Sequence, residues 1–239
     1  MPDARKPRAL TFGSLFAGIG GFDLGFERAG MKCVWQVEID EFCQRVLAKH
    51  WPDVRRHDDV RTFPPAGDWY ADVICGGFPC QPVSAAGKKK AQADARWLWP
   101  EMSRIVRDLR PRFAVVENVA GLLDRGIGDV LRDLAAIGYD AEWDCIPAAT
   151  FGTPHLRGRI FLVAYPASAG PQGQKSASRI WGRGLLTQRD WWPAEPALAR
   201  LGHGVPDRVA GTVAMGNAVV PQIAEWIGRR LMESAHADA

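Results

Sequence analysis

The sequence lacks any apolar run that approaches the roughly 18 residues a membrane-spanning helix requires. Its first ten residues carry Arg5, Lys6 and Arg8, but no apolar stretch follows them, so no secretory signal is expected. It also contains no internal repeat and no low-complexity tract. These absences favour a cytoplasmic protein.

Cysteine and histidine are scarce, with five residues of each among 239. The histidines are scattered, and no C-x-x-C pair occurs among the cysteines, which are Cys33, Cys43, Cys75, Cys80 and Cys145. Neither a disulfide framework nor a metal site is predicted. Cys33, Cys43 and Cys145 are interpreted as small buried hydrophobic residues, and Cys75 as part of a buried strand.

Charge is nearly balanced, at +3 overall, which is too small to indicate nucleic-acid binding by itself. Its distribution is more informative. The segment from Pro171 to Trp192 contains one anion, Asp190, and four cations, and it carries the whole excess; the cations are Lys175, Arg179, Arg183 and Arg189. Apolar residues make up 47%, so a folded core is expected rather than disorder.

Strand and helix patterns alternate along most of the chain, which predicts an α/β fold with a doubly wound, mostly parallel sheet. Strands are predicted at 9–16, 33–39, 71–76, 113–117, 140–147 and 159–164, and helices at 22–29, 41–50, 99–109, 127–137 and 221–232. From 166 the pattern becomes irregular and rich in Gly, Pro, Ser, Gln, Arg and Trp. We therefore expect a main domain over 1–165, a small lobe over 166–200, and a segment over 201–239 that returns to the main domain.

The turn between the first strand and the first helix is rich in glycine, with Gly18, Gly20 and Gly21. Such a turn lets a nucleotide-like cofactor approach the start of the helix. Asp23 stands where a dinucleotide fingerprint needs its third glycine, which disfavours hydride transfer. Glu38 ends the second strand, where an acid can bind ribose hydroxyls; the alternative is a solvated strand-end carboxylate.

Asp59 follows in the next loop and could reach an adenine amino group, or it could cap a helix or turn. The most informative loop runs from the strand ending at Gly76 to Cys80, which lies between Pro79 and Pro82. Ligands bind at the carboxyl ends of strands in open α/β sheets, so this loop places a thiol at the cofactor site. Cys80 is therefore a candidate nucleophile.

A free thiol has a pKa of about 8.5, so Cys80 needs nearby cations to form a thiolate at neutral pH. Arg157 and Arg159 are candidates for that role. Glu117 closes a further strand in Val115-Val116-Glu117, and the topology brings it to the same edge of the sheet. An acid and a nucleophile can then face one substrate.

Taken in order, these motifs resemble those of the DNA cytosine-5 methyltransferase family, in its compact bacterial or phage form. The resemblance covers nearly all of the chain except residues 166–198. Its motifs are Phe16-Ala17-Gly18-Ile19-Gly20-Gly21, Glu38, Asp59, Gly77-Phe78-Pro79-Cys80-Gln81-Pro82, Glu117-Asn118-Val119, Arg157-Gly158-Arg159 and Gly216-Asn217-Ala218-Val219-Val220-Pro221. The chain has His155 where the family usually has glutamine and Asp58 where it usually has glycine.

The resemblance implies a fold of the S-adenosylmethionine-dependent methyltransferase type and assigns a role to each motif. The catalytic residues would be Cys80, Glu117, Arg157 and Arg159. S-adenosyl-L-methionine would contact Phe16, Ala17, Gly18, Gly20, Gly21, Glu38, Ile39, Asp59, Gly76, Pro79, Leu98, Asn217, Ala218 and Val219. DNA would contact Gln81, Ser84, Lys88, Lys89, Arg179 and Arg183, although the lysine run could equally be a solvated surface.

The implied reaction moves a methyl group to C5 of a flipped cytosine through a covalent adduct between Cys80 and C6. Double-stranded DNA would be the partner, together with a cognate restriction endonuclease, and the protein would be a monomer in the cytoplasm of a bacterium or a phage-infected cell. Two alternatives stay open because the lobe at 166–200 is short. The substrate could be RNA, or the protein could be a catalytically silent DNA-binding regulator. A nicotinamide dehydrogenase on the same fold is a more distant alternative.

Overall fold

The computed structural model describes residues 8–79, 97–152, 158–167, 214–215 and 217–237. Most of the lobe predicted at 166–200 therefore lies outside the described residues. The strands are β1 (Thr11–Leu15), β2 (Lys32–Val37), β3 (Arg55–His57), β4 (Val73–Gly76), β5 (Phe113–Val119), β6 (Tyr139–Pro147) and β7 (Gly158–Pro166). The helices are α1 (Gly21–Arg28), α2 (Glu41–His50), α3 (Trp99–Leu109), α4 (Leu122–Arg125), α5 (Ile127–Ala136) and α6 (Pro221–Ala237).

The strands form one seven-stranded sheet in the order β3-β2-β1-β4-β5-β7-β6. The run from β3 to β5 is parallel, whereas β7 lies antiparallel to both β5 and β6. All four residues of β4 are buried, as expected for a central strand that is covered on both faces. The predicted α/β fold with a doubly wound, mostly parallel sheet is confirmed.

Two hydrophobic cores, one on each face of the sheet, hold the helices in place. One contains α3 and α5 side chains such as Met102 and Leu134. The other contains α1 and α6 side chains such as Phe26 and Ile227. Among the described residues, no helix is both long enough and apolar enough to cross a lipid bilayer.

The structure departs from the sequence predictions at a few positions. Strand β3 was not predicted, because Arg55–His57 is a short polar strand at the sheet edge, without the apolar pattern of a buried strand. Strand β5 continues past Glu117 to Val119, because β7 pairs with it through Arg159. The interpretation of Cys145 as a buried residue is wrong: it is exposed on the edge strand β6.

Glycines allow α1 and α6 to pack closely. A β-carbon added at Gly25 in α1 would lie 2.5 Å from the Ala224 β-carbon and 2.5 Å from the Pro221 carbonyl oxygen. At Gly228 in α6, an added β-carbon would lie 2.8 Å from the Ala29 β-carbon. The two helices therefore approach each other closely at these two positions.

Replacing Gly25 by alanine is therefore expected to lower the free energy of unfolding by about 1–3 kcal/mol, because the new methyl group meets backbone atoms that cannot move freely. Gly128 in α5 is the matched control, since no heavy atom lies within 4 Å of a β-carbon added there. Gly128→Ala should raise stability by about 0.5–1 kcal/mol, as alanine favours a helix more than glycine does. Urea denaturation measures both, and equal effects would contradict the packing argument.

A fully buried polar cluster lies between α1 and the first two strands. The carboxyl group of Asp23 accepts hydrogen bonds from Ser14 Oγ at 3.1 Å, Gln36 Nε2 at 2.8 Å and Cys33 Sγ at 3.4 Å. Burial raises the pKa of Asp23 above its ordinary value, although these three hydrogen bonds oppose the shift. The cluster therefore couples folding to protonation.

The pH dependence of stability follows from that shift. Between about pH 4, the ordinary pKa of aspartate, and the raised pKa, Asp23 holds a proton in the folded chain but not in the unfolded chain. The contribution of Asp23 to stability is therefore present at low pH and is lost as pH rises through this window. Asp23→Asn does not titrate, so its free energy of unfolding should increase relative to wild type across the same window, measured by urea denaturation at a series of pH values. A difference that stays constant with pH would contradict this expectation.

Candidate active site

A cleft of about 460 Å³ opens at the carboxyl ends of β1, β2, β4 and β5. In an open α/β sheet this edge is the usual position of a ligand site. The residues that line it come from four described segments and from one residue of β7: Phe16, Ala17, Gly18, Gly21, Phe22, Val37, Glu38, Ile39, Asp40, Cys43, Asp58, Asp59, Val60, Arg61, Gly77, Phe78, Pro79, Leu98, Glu117, Asn118, Val119, Arg159, Ala214, Asn217, Ala218 and Val219.

The glycine turn forms one wall of the cleft. Gly18 has φ +56° and Gly20 has φ +87°, and both values lie in the left-handed region that favours glycine. Gly20 precedes α1 and provides no side-chain cap for it. The first amides of α1 therefore have no side-chain acceptor from the cap residue, an arrangement that suits a bound polar group.

Glu38 faces the glycine turn from the end of β2. Its Oε2 accepts a hydrogen bond from the Gly18 amide at 2.6 Å, and its Oε1 accepts one from the Asp40 amide at 2.9 Å. These two bonds fix the carboxylate, and each oxygen keeps a further lone pair. Glu38 can therefore accept hydrogen bonds from two neighbouring hydroxyl groups, as on a ribose.

Asp59 lies further along the same wall and contacts Arg61. Its Oδ1 accepts from the Arg61 amide at 2.9 Å, and its Oδ2 accepts from Arg61 Nη1 at 3.2 Å. Ile39, which is 62% exposed, provides an apolar surface at this end of the cleft. A carboxylate beside an apolar surface suits a flat ring that carries an amino group, such as adenine.

Glu117 lies on the opposite wall, on β5. Its Oε1 is 2.9 Å from Arg159 Nε, in an ion pair whose side chains are 10% and 23% exposed. The antiparallel register explains the contact: Glu117 pairs with Phe161, so Arg159 is its diagonal neighbour on the same face of the sheet. The carboxylate is thus fixed in direction within the cleft.

The segment that leads to Cys80 is packed against Glu117. A β-carbon added at Gly77 would lie 2.6 Å from Glu117 Oε2, so any larger residue here would displace the Glu117 carboxylate. Asn118 Nδ2 donates to the Phe78 carbonyl at 3.1 Å. The Phe78 ring also contacts Trp97, with ring centroids 5.1 Å apart. The residues just before Cys80 are therefore held at the cleft beside the acid.

The other cysteines are poorly suited to nucleophilic chemistry where the structure describes them. Burial raises the pKa of Cys33 and of Cys75 well above the ordinary range. Cys43 lines the cleft, but burial and the nearby carboxylates of Glu38 and Asp40 raise its pKa to about 12. These thiols stay protonated at neutral pH.

Of the site residues predicted from the sequence, most line this one cleft. Those that do so are Phe16, Ala17, Gly18, Gly21, Glu38, Ile39, Asp59, Pro79, Leu98, Glu117, Arg159, Asn217, Ala218 and Val219. Gly20 and Gly76 are not among the lining residues. An added β-carbon would meet the Trp51 ring at Gly20 and the Leu15 carbonyl oxygen at Gly76, so both glycines allow close packing behind the cleft.

Eight predicted residues lie outside the described residues: Cys80, Gln81, Ser84, Lys88, Lys89, Arg157, Arg179 and Arg183. The structure also adds lining residues that the sequence analysis did not select, among them Asp40, Cys43 and Arg61. Asp40 and Arg61 are each two residues from a predicted acid, Glu38 or Asp59. Asp40 and Arg61 could therefore have been selected from the sequence by their closeness to these predicted binding residues.

The fold and the site define an α/β protein with a cleft at the carboxyl ends of its parallel strands and with an acid, Glu117, held in that cleft by an arginine. The model of the C-5 cytosine-specific DNA methylase family matches residues 10–181, well over half of the chain. The chain therefore belongs to the C-5 cytosine-specific DNA methylase family.

Individual proteins that resemble this chain support the family assignment. The type II methyltransferase M.DsaV of Dactylococcopsis salina is 36% identical over 165 residues, which are 67% of this chain and 47% of that protein. M.HgiCII of Herpetosiphon aurantiacus is 34% identical over 73% of this chain and 43% of that protein. A crystal structure described as a prophage-encoded DNA modification methyltransferase (E. coli) is 27% identical, with a TM-score of 0.56 over 67% of this chain and 47% of that one. The chain spans less than half the length of these proteins.

Proposed function

We propose that this protein transfers a methyl group from S-adenosyl-L-methionine to carbon 5 of cytosine in DNA, with Cys80 as the nucleophile. One observation carries the proposal. The Glu117 carboxylate, paired with Arg159 at 2.9 Å, lines the same cleft as the glycine turn and as Pro79, the residue before Cys80. One cleft thus contains an acid, the glycine turn that would bind the cofactor, and the residue that precedes the thiol.

The hydrogen-bonding groups of the cleft support the proposed cofactor. Glu38, fixed by the Gly18 and Asp40 amides, would bind the ribose hydroxyls, and Asp59 would accept from the adenine amino group. Ile39 would cover the adenine ring. When bound, the cofactor supplies an electrophilic methyl group on a sulfonium.

Chemistry at the base depends on this chain's own side chains. C5 of cytosine becomes nucleophilic only after something adds to C6, and the Cys80 thiolate would form that bond. Glu117 would hydrogen-bond N3 and the exocyclic amine, which offsets the charge that develops on the ring. After methylation, loss of the C5 proton to a base and expulsion of the thiolate restore the aromatic ring and free Cys80.

Arg159 would keep the Glu117 carboxylate aimed at the base, and Arg157 would steady the loop that carries Cys80. A duplex hides C6 in the base stack, so the target nucleotide must rotate out, at a cost of a few kcal/mol. Gln81, Ser84, Lys88 and Lys89 would contact the DNA around the extruded base.

We further propose that residues 1–165 carry the cofactor and the chemistry, that 166–200 contact the target sequence through Arg179 and Arg183, and that 201–239 complete the cofactor site. The type II methyltransferases among its relatives support double-stranded DNA and a cognate restriction endonuclease as partners. The protein would act as a monomer in the cytoplasm of a bacterium or of a phage-infected cell.

Expression in a host without cytosine methylation tests the function. Base-resolution mapping of 5-methylcytosine should show modification at a short DNA motif, and cells with the empty vector should show none. The purified protein should also transfer a labelled methyl group to duplex DNA and not to structured RNA. Methylation of RNA alone would replace the DNA substrate, and no transfer to either would overturn the proposed activity.

A further inference from the structure

The position of the glycine turn is set from behind the cleft. The turn itself, residues 18–21, has only one side chain larger than hydrogen, that of Ile19. It is fixed locally by two hydrogen bonds, from the Gly18 amide to Glu38 and from the Gly20 amide to the Ala17 carbonyl. Gly20 and Gly21 lead directly into α1, so the position of the turn also depends on how α1 is anchored to the sheet.

Contacts with α6 pack one side of α1. At Gly228, an added β-carbon would lie 2.8 Å from the Ala29 β-carbon and 3.0 Å from the Phe26 ring of α1, and Phe26 and Ile227 share one hydrophobic core. Apolar contacts of this kind stabilise the packing but are not directional. Hydrogen bonds between α1 and the sheet are directional, and they can fix the position of the helix more narrowly.

Asp23 makes that directional contact, three residues after the left-handed Gly20. Its carboxyl group accepts hydrogen bonds from Ser14 on β1 and from Cys33 and Gln36 on β2. It thereby joins α1 to the two strands whose carboxyl ends form the turn and present Glu38. Gly21 and Phe22, which immediately precede it, line the cleft.

The buried polar cluster around Asp23 lowers the stability of the fold. Asp23 and Gln36 are both 0% exposed, and the three side chains that bond Asp23 are all neutral. Gln36 Oε1 is buried and accepts no hydrogen bond from the described residues. Buried polar groups without full compensation lower stability. Residues that lower stability in this way are typically found where they fix the geometry of a functional site.

We infer that Asp23 is a positioning residue for the cofactor: by bonding Ser14, Cys33 and Gln36 it sets the place of the glycine turn relative to Glu38. The inference rests on the proposed function, because it assigns the turn and Glu38 to S-adenosylmethionine. Asp23 acts through the turn and does not touch the cofactor.

Binding measurements on the full chain test this role. Asp23→Ala should raise the Kd for S-adenosylhomocysteine, the unreactive product, by about ten- to a hundredfold, because small displacements of a binding turn are costly. Asp23→Asn keeps an acceptor for Gln36 and Cys33 and can donate to Ser14 Oγ, so its Kd should stay within about threefold of wild type. In the methylation assay, Asp23→Ala should raise KM for the cofactor far more than it lowers kcat.

Asp72, the residue before β4, offers a matched control. It is also a buried aspartate, 1% exposed, and it accepts hydrogen bonds from Arg8 and Thr11 at the opposite end of β1 from the turn. Asp72→Ala should lower the urea midpoint and leave the Kd for S-adenosylhomocysteine unchanged. Equal weakening of binding by Asp72→Ala and Asp23→Ala would show general destabilisation and overturn the inference.

Other outcomes are equally decisive. An unchanged Kd for Asp23→Ala would overturn the positioning role, and so would an Asp23→Asn variant that binds as weakly as Asp23→Ala. If Asp23→Ala is not recovered folded, Ser14→Ala decides instead: it removes one donor, and the Kd should rise about threefold or more. An unchanged Kd for Ser14→Ala would then overturn the inference. Failure of the wild-type chain to bind S-adenosylhomocysteine is a separate result, and it would count against the proposed function itself.

Discussion

Cells that produce the Cys80→Ser variant are expected to contain no 5-methylcytosine, and the purified variant should lose at least about a thousandfold in methyl transfer, as is usual when a nucleophile is removed. A serine hydroxyl is a far weaker acid than a thiol, so almost none is ionised at neutral pH. Addition to C6 of cytosine would then not occur, and C5 would stay unreactive. Mapping of genomic 5-methylcytosine and a labelled methyl-transfer assay measure the effect.

Cys145→Ser is the control for this variant, because Cys145 is an exposed cysteine on the edge strand β6, which does not line the cleft. It should methylate DNA at the wild-type rate. Binding of S-adenosylhomocysteine should be unchanged in Cys80→Ser, since the thiol would act on the base and not on the cofactor. Normal methylation by Cys80→Ser would exclude this residue as the nucleophile.

Replacing Glu117 by glutamine should have the second largest effect, a fall in kcat of about a hundred- to ten-thousandfold. Glutamine can still donate to N3 and accept from the exocyclic amine, but it cannot pass a proton to N3 as the ring gains charge. It also loses the ion pair with Arg159 Nε, which is 2.9 Å long in the structure. The side chain would then be less firmly aimed at the base.

Glu142 is a matched control for Glu117. It lies on the neighbouring part of the same sheet and accepts a hydrogen bond from Tyr165 Oη at 3.2 Å, but it does not line the cleft. Glu142→Gln should keep the wild-type kcat in steady-state methylation assays. A kcat for Glu117→Gln within a few-fold of wild type would remove Glu117 from the chemistry.

The part of the cleft formed by the glycine turn and Glu38 could be predicted from the sequence because it is built from local segments. Gly18 and Glu38 follow the two strands of a strand-helix-strand unit, and parallel strands that follow one another usually bring their carboxyl ends together. The hydrogen bond from the Gly18 amide to Glu38 is the result of that topology. The same logic predicted that Gly77–Pro79 and Glu117 lie on one edge of the sheet, and both line the cleft.

Contacts between segments that are far apart in the chain could not be predicted from the sequence. Arg159 reaches Glu117 because β7 enters the sheet antiparallel between β5 and β6, a topology that alternating strand and helix patterns do not reveal. From the sequence, Asp23 indicates only that a dinucleotide-binding site is disfavoured. Its burial against Ser14, Cys33 and Gln36 depends on how α1 is packed onto β1 and β2.

The sequence by itself determined the α/β class, the order of the motifs and the residue types of the site, because hydrophobic periodicity and short glycine-rich turns are local properties of the chain. Only the tertiary structure decided which polar groups meet: Arg159 with Glu117, the Asn118 amide with the Phe78 carbonyl, and Asp23 with two strands. Those pairings depend on strand order, register and helix packing, and these are fixed by contacts between residues far apart in the chain.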